Sequence, residues 1–111
     1  MSVSDNLKRG SVDLLLLTLL SEEDMYGYQL CQELAKRSDG RYKLMASSMY
    51  PILYRMIDKG FISDRRELVG KRRTRVYYHI EPKGKEYLSV IENEYLTVVG
   101  GILQILGKEF E

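Results

Sequence analysis

The last quarter of the chain carries more apolar surface than a protein this small can cover by itself. From Glu81-Pro82-Lys83-Gly84 to about Leu106 the pattern is that of one long helix. Tyr87, Ile91, Tyr95, Val98, Ile102 and Ile105 recur at steps of four, four, three, four and three, so they share one stripe. A second row, Leu88, Leu96, Val99, Leu103 and Leu106, widens that stripe. In 111 residues the core of a single copy is thin, so much of this face needs another molecule to cover it. The natural cover is a second copy in an isologous twofold dimer, which makes Tyr87, Ile91, Tyr95, Val98, Ile102 and Ile105 the expected dimer interface.

Ahead of this helix the periodicity changes twice. A first helix is predicted from about Ser4 to Leu20, and its nearly continuous leucines mean burial on more than one side. An acidic turn at Glu22–Asp24 ends it. A second helix runs from about Tyr26 to Arg37, with Leu30, Cys31 and Leu34 facing inward, and Ser38-Asp39-Gly40 stops it. The third helix, about Ser48 to Lys59, carries the stripe Met49, Leu53, Met56 and Ile57 and ends at Gly60. With Ser47 or Ser48 as N-cap, Pro51 falls at or beside the first turn, where a missing N–H costs nothing. Two strands follow, Phe61 to Leu68 and Thr74 to Ile80. The second alternates Val76, Tyr78 and Ile80 against Arg75, Tyr77 and His79. No repeat or linker divides the chain.

This order defines a mainly α fold with a small β-hairpin: a winged helix-turn-helix followed by a C-terminal dimerisation helix. Residues 1–111 are expected to form one domain, about 4–81 the DNA-binding core and about 82–108 the dimerisation helix. In this plan the third helix enters the major groove and the hairpin touches the neighbouring backbone or minor groove.

Charge follows the same division. Residues 41–85 hold twelve Lys/Arg against four Asp/Glu, while residues 1–40 and 86–111 are both net acidic. A basic middle between acidic ends points to one face meant for a polyanion. Lys71, Arg72, Arg73 and Arg75 in the hairpin are the densest cluster. A solvated loop is the plainer reading of such a run, but its position after a short Ser/Tyr-rich helix favours phosphate. Ser47, Ser48 and Tyr50 are short or hydroxylated donors near a helix N-terminus, where free N–H groups meet phosphate. Tyr54 and Arg55 lie a turn further on, within reach of base edges or phosphate. Arg41 and Lys43 lead into the helix as weaker phosphate contacts. For Ser47 and Ser48 a simple cap is the competing role, and the two roles are compatible.

Other classes find little support. One histidine, His79, and one cysteine, Cys31, provide neither a His/Cys metal cluster nor a nucleophile–base pair, so no enzyme, metal or cofactor is expected. Gly100-Gly101 lies inside the last helix and suits a kink or close contact, not a phosphate loop. The Val12–Leu20 run is too short to span a membrane and leads into an acidic turn instead of a cleavage site. A cytoplasmic protein without a membrane partner follows, and a single cysteine suits a reducing compartment. The alternative from another class is a small-molecule sensor or protein-interaction module that keeps the winged fold without binding DNA.

Several runs together resemble the PadR family of bacterial transcriptional regulators. They are Tyr26-Gly27-Tyr28-Gln29-Leu30, then Met49-Tyr50-Pro51-Ile52-Leu53-Tyr54-Arg55-Met56, then Lys59-Gly60-Phe61-Ile62. Arg75-Val76-Tyr77-Tyr78-His79-Ile80-Glu81-Pro82-Lys83-Gly84 is similar to that family's second wing strand and the start of its dimer helix. The resemblance spans roughly residues 11–106. It implies a homodimeric repressor of efflux or stress genes, bound to a double-stranded operator and released by a small aromatic or cationic effector. A single helix after the wing is similar to the small subgroup that includes multidrug sensors, in which flat ligands stack between paired tryptophans. This chain has no Trp, and Tyr95 occupies the comparable position. Where the family usually has a polar cap, this chain has Met45-Ala46, which shifts capping onto Ser47 or Ser48.

Overall fold

The computed structural model describes residues 3–108. Helices α1 (Val3–Lys8), α2 (Val12–Glu22), α3 (Gly27–Arg37) and α4 (Ala46–Asp58) precede the hairpin β2 (Ile62–Val69) and β3 (Arg73–Ile80). A two-residue strand, β1 (Met25–Tyr26), lies between α2 and α3, and α5 (Pro82–Leu106) closes the chain. The three strands form one antiparallel sheet in the order β1-β3-β2. This is the winged helix fold with an added C-terminal helix. No described helix is long and apolar enough to cross a membrane.

Two expectations about helix boundaries change. The first predicted helix divides into α1 and α2, because Gly10 adopts a left-handed φ of 87° and Ser11 starts a new helix. The Ser11 hydroxyl donates to the Lys8 carbonyl at 2.6 Å and lies 2.6 Å from the Tyr42 hydroxyl, which ties the break to the loop before α4. The third helix begins earlier than predicted. Met45, not Ser47 or Ser48, is its N-cap, with no side-chain capping bond, and its carbonyl accepts from the amides of Ser48 and Met49. Pro51 therefore sits in the second turn, where it removes the amide that Ser47 C=O would otherwise meet.

The core forms around α2, which buries Val12, Leu14, Leu16, Leu17, Leu19 and Leu20. Leu30 and Leu34 of α3, Met49, Leu53 and Met56 of α4, and Met25, Ile62, Tyr78 and Ile80 of the sheet close over it. Fully burying each such side chain contributes on the order of 1.5–3 kcal/mol. The α5 helix joins this core only at its start. Gly84 lies against β2's approach, where a Cβ would overlap the Phe61 carbonyl, and the Tyr87 ring stacks on Phe61 at 4.3 Å.

Candidate nucleic-acid interface

The sheet and helices bring two parts of the predicted site together and separate a third. The wing joins β2 to β3 through Gly70-Lys71-Arg72, since Val69 pairs with Arg73. Gly70, at φ 77°, takes the left-handed conformation such a short turn needs. Lys71, Arg72 and Arg73 are all exposed at this tip.

At the wing's base, a cleft of about 610 Å³ separates β3 from α4 and the start of α3. Tyr50 and Tyr54 line its helical wall, and Arg73 and Arg75 its sheet wall. The Tyr50 and Tyr54 rings stack at 6.2 Å, one turn apart. A Cβ at Gly27 would overlap the Tyr50 hydroxyl, so this glycine lets α4 close on the N-terminus of α3. Buried Tyr78 forms the floor, and its phenol is pushed up to about 12 by burial first and by the neighbouring Tyr50 and Tyr54 second. It therefore stays neutral, a hydrogen-bonding group and not a charge, at physiological pH.

Tyr26 and Tyr28 also line this cleft, and sequence reasoning did not assign them a role. The Arg75 guanidinium lies 4.3 Å from the centre of the Tyr26 ring, which holds it along the strand and aims the wing base. Tyr28 is 65% exposed at the start of α3 and Tyr54 57% exposed on α4. The signal was present in the Tyr-Gly-Tyr run, but the register Tyr26↔Tyr77 that carries it to the wing comes from a strand too short to have a period.

On the other flank of α4, exposed Ser48 faces a groove shared with Lys8, Arg9 and Lys43. Ser47 is exposed in the first turn, and Arg41 is exposed in the loop ahead of it. Lys43 also offers its carbonyl to the Lys8 ammonium at 2.7 Å, which braces that loop against α1. Arg55 lines a different groove from Tyr54, shared with Arg9 and Asp13. Its Nη2 donates to both carboxylate oxygens of Asp13, at 2.7 and 2.9 Å, on the side of α4 turned toward α2.

The far side of the wing is held by Asp24 in the turn after α2. Its carboxylate is 2.7 Å from His79 Nδ1 and bonds the Arg65 guanidinium. Burial raises its pKa, but hydrogen bonds from His79 and Arg65 outweigh that and hold the carboxyl below its ordinary value. Among the described residues no group of three or more His, Cys, Asp or Glu can hold a metal.

The predicted dimer residues divide along α5. Tyr87 and Ile91 pack against the core of their own chain. Tyr95 is half-buried beside α1 and α2, in a cavity of about 400 Å³ lined by Leu7, Ser11, Leu14, Leu15 and Tyr42. Val98, Ile102 and Ile105 are 62%, 50% and 87% exposed.

An uncharacterized protein of Lysinibacillus sphaericus is 31% identical over 96 residues, covering 86% of this chain and 88% of that one. A transcriptional regulator from Clostridium thermocellum superposes with a TM-score of 0.82 at 27% identity, over 89% of this chain and 96% of its own. Bacillus subtilis PadR, solved in complex with operator DNA, shares the fold at a TM-score of 0.67 and 23% identity, over 73% of this chain and 45% of its own. The model of the transcriptional regulator PadR-like family matches residues 16–90, from the buried leucines of α2 to the start of α5. The chain belongs to the PadR-like family of transcriptional regulators.

Proposed function

We propose that this protein is a cytoplasmic, homodimeric repressor that binds a double-stranded operator and is controlled by a small aromatic effector. The observation that carries the DNA reading is the cleft at the wing base, where tyrosines of the third core helix face arginines of the wing. That arrangement sets hydroxyls for phosphate and base edges beside guanidinium groups for backbone. Ser47, Ser48, Tyr50 and Tyr54 contact the major groove and its edges, Arg73 and Arg75 the flanking backbone, and Lys71 and Arg72 the tip's groove. Arg41 and Lys43 add phosphate contacts ahead of α4. The operator complex of Bacillus subtilis PadR supports the same use of the shared fold.

Two further features support the dimer and the effector. The exposed apolar half of α5, from Leu96 to Leu106, is the face a second copy covers. The cavity at Tyr95 offers an apolar wall, two tyrosine rings and the cations Lys8 and Arg41 at its rim.

The test is fluorescence anisotropy with duplex DNA from the gene's own upstream region, against a shuffled duplex, at several salt concentrations. Tighter binding to the upstream duplex with a steep salt slope is expected. Replacing Arg72 and Arg73 by Ala is expected to weaken binding to both duplexes and lower the slope by about 0.9 per lost phosphate contact. Absence of binding at low salt overturns the DNA reading.

A further inference from the structure

Every basic side chain on a DNA-facing surface attracts phosphate without regard to sequence, so a cation on a recognition helix raises affinity for all DNA. Arg55 is such a cation. It follows Tyr54 by one residue on α4, which turns it about 100° around the helix, away from the wing cleft and toward α2. There it meets Asp13, and one guanidinium nitrogen spans both carboxylate oxygens at 2.7 and 2.9 Å. Asp13 stands in the first turn of α2, where the helix dipole favours a negative charge. The groove holding this pair also contains Arg9, and the next groove along the same flank contains Lys8 and Lys43. Asp13 is the acidic residue lining this groove, and it is joined to the one arginine that α4 contributes.

We infer that Asp13 is a specificity-determining residue: it withholds Arg55 from phosphate and so limits sequence-blind binding. An exposed ion pair adds little to fold stability, so its consequence is read in DNA binding. Ion pairing here also holds α4 to α2 on the flank opposite the wing, leaving discrimination to the serines and tyrosines. The inference rests on the DNA-binding reading above.

The test uses the shuffled duplex alone, with the full chain and its Asp13→Asn, Arg55→Gln and double variants, titrated across salt. Asp13→Asn is expected to bind the shuffled duplex several-fold more tightly at low salt. Its salt slope is expected to steepen by about 0.9 for each protomer engaged, as Arg55 gains a phosphate. Arg55→Gln alone keeps the parent slope, because that charge was not on DNA, and the double variant returns to the parent slope. Three results overturn the inference while leaving the DNA reading intact. They are an unchanged slope in Asp13→Asn, a steepening that persists in the double variant, and a flatter slope in Arg55→Gln alone. The second would mean that Asp13 acts by direct repulsion, and the third that Arg55 already contacts phosphate. Failure of the parent protein to bind any duplex overturns the DNA reading, and this inference with it.

Discussion

Helices α2 and α5 are both rich in aliphatic side chains, yet they end in opposite environments. In α2, eleven residues supply six buried side chains, and the rest of the protein is built around them. In α5, 25 residues contribute one buried residue, Gly84, and Val98, Ile102 and Ile105 lie open. Hydrophobicity states that a face needs a cover. Which cover it receives depends on whether other elements of the same chain can reach it. The α2 helix is surrounded by α3, α4 and the sheet, whereas α5 extends past them after its third turn. Its length makes the difference: 25 residues span about 37 Å at 1.5 Å each, longer than the molecule's two shorter dimensions of 28 and 25 Å.

The contrast can be broken most strongly at its buried end. Leu17→Ala removes a fully buried side chain at the centre of the core and is expected to cost about 3–5 kcal/mol, read from urea unfolding. A cost under about 1 kcal/mol would show that α2 is less central than its burial indicates. Gly84→Ala probes the tightest contact between α5 and the body of the protein. Its Cβ meets backbone at Phe61, which cannot step aside, so a loss of about 1–3 kcal/mol is expected by the same measurement. Ser11→Ala, at the start of α2, removes the hydroxyl that links Lys8 and Tyr42 and is expected to cost about 1 kcal/mol. Ile102→Glu lies at the other extreme. It is expected to leave the helical spectrum and the fold of each chain unchanged, while sedimentation reports one chain instead of two. A dimer that survives this substitution would place the interface elsewhere.

Acid sharpens the picture of the wing's support. Because Asp24's folded pKa lies below its ordinary value of 3.8, its contribution is present above that pH and is lost as pH falls through the lower, folded value. Asp24→Asn is expected to remove this part of the acid dependence and little else, since solvent partly screens the ion pair. An acid profile identical to the parent's would show that Asp24 does not hold the wing.

Much of this was legible residue by residue. The stripe Met49, Leu53 and Met56, the alternation along β3 and the spacing from Gly84 to Leu106 each report their element directly, because side-chain period follows backbone geometry. The basic tip Lys71-Arg72 was also legible, since a turn exposes whatever it carries. The break at Gly10 was signalled by Gly-Ser but hidden by the leucines after it. Strand β1 was not legible, as two residues carry no period and exist only through pairing with Tyr77 and Tyr78. The cap at Met45 was missed because Ser47 and Ser48 are better intrinsic caps, and the packing of Met49 and Leu53 set the helix start instead.

By itself, then, the sequence determined the kinds of element, their order, the polarity of the charge and the excess of apolar surface on the last helix. All of these are read from neighbours a few positions apart. Only the tertiary structure decided that Arg55 pairs with Asp13, 42 positions away, and that Arg75 stacks on Tyr26. It also decided that Tyr50, Tyr54, Arg73 and Arg75 share one cleft. Such partners are chosen by distance in space after the core has closed, and no local pattern records that distance.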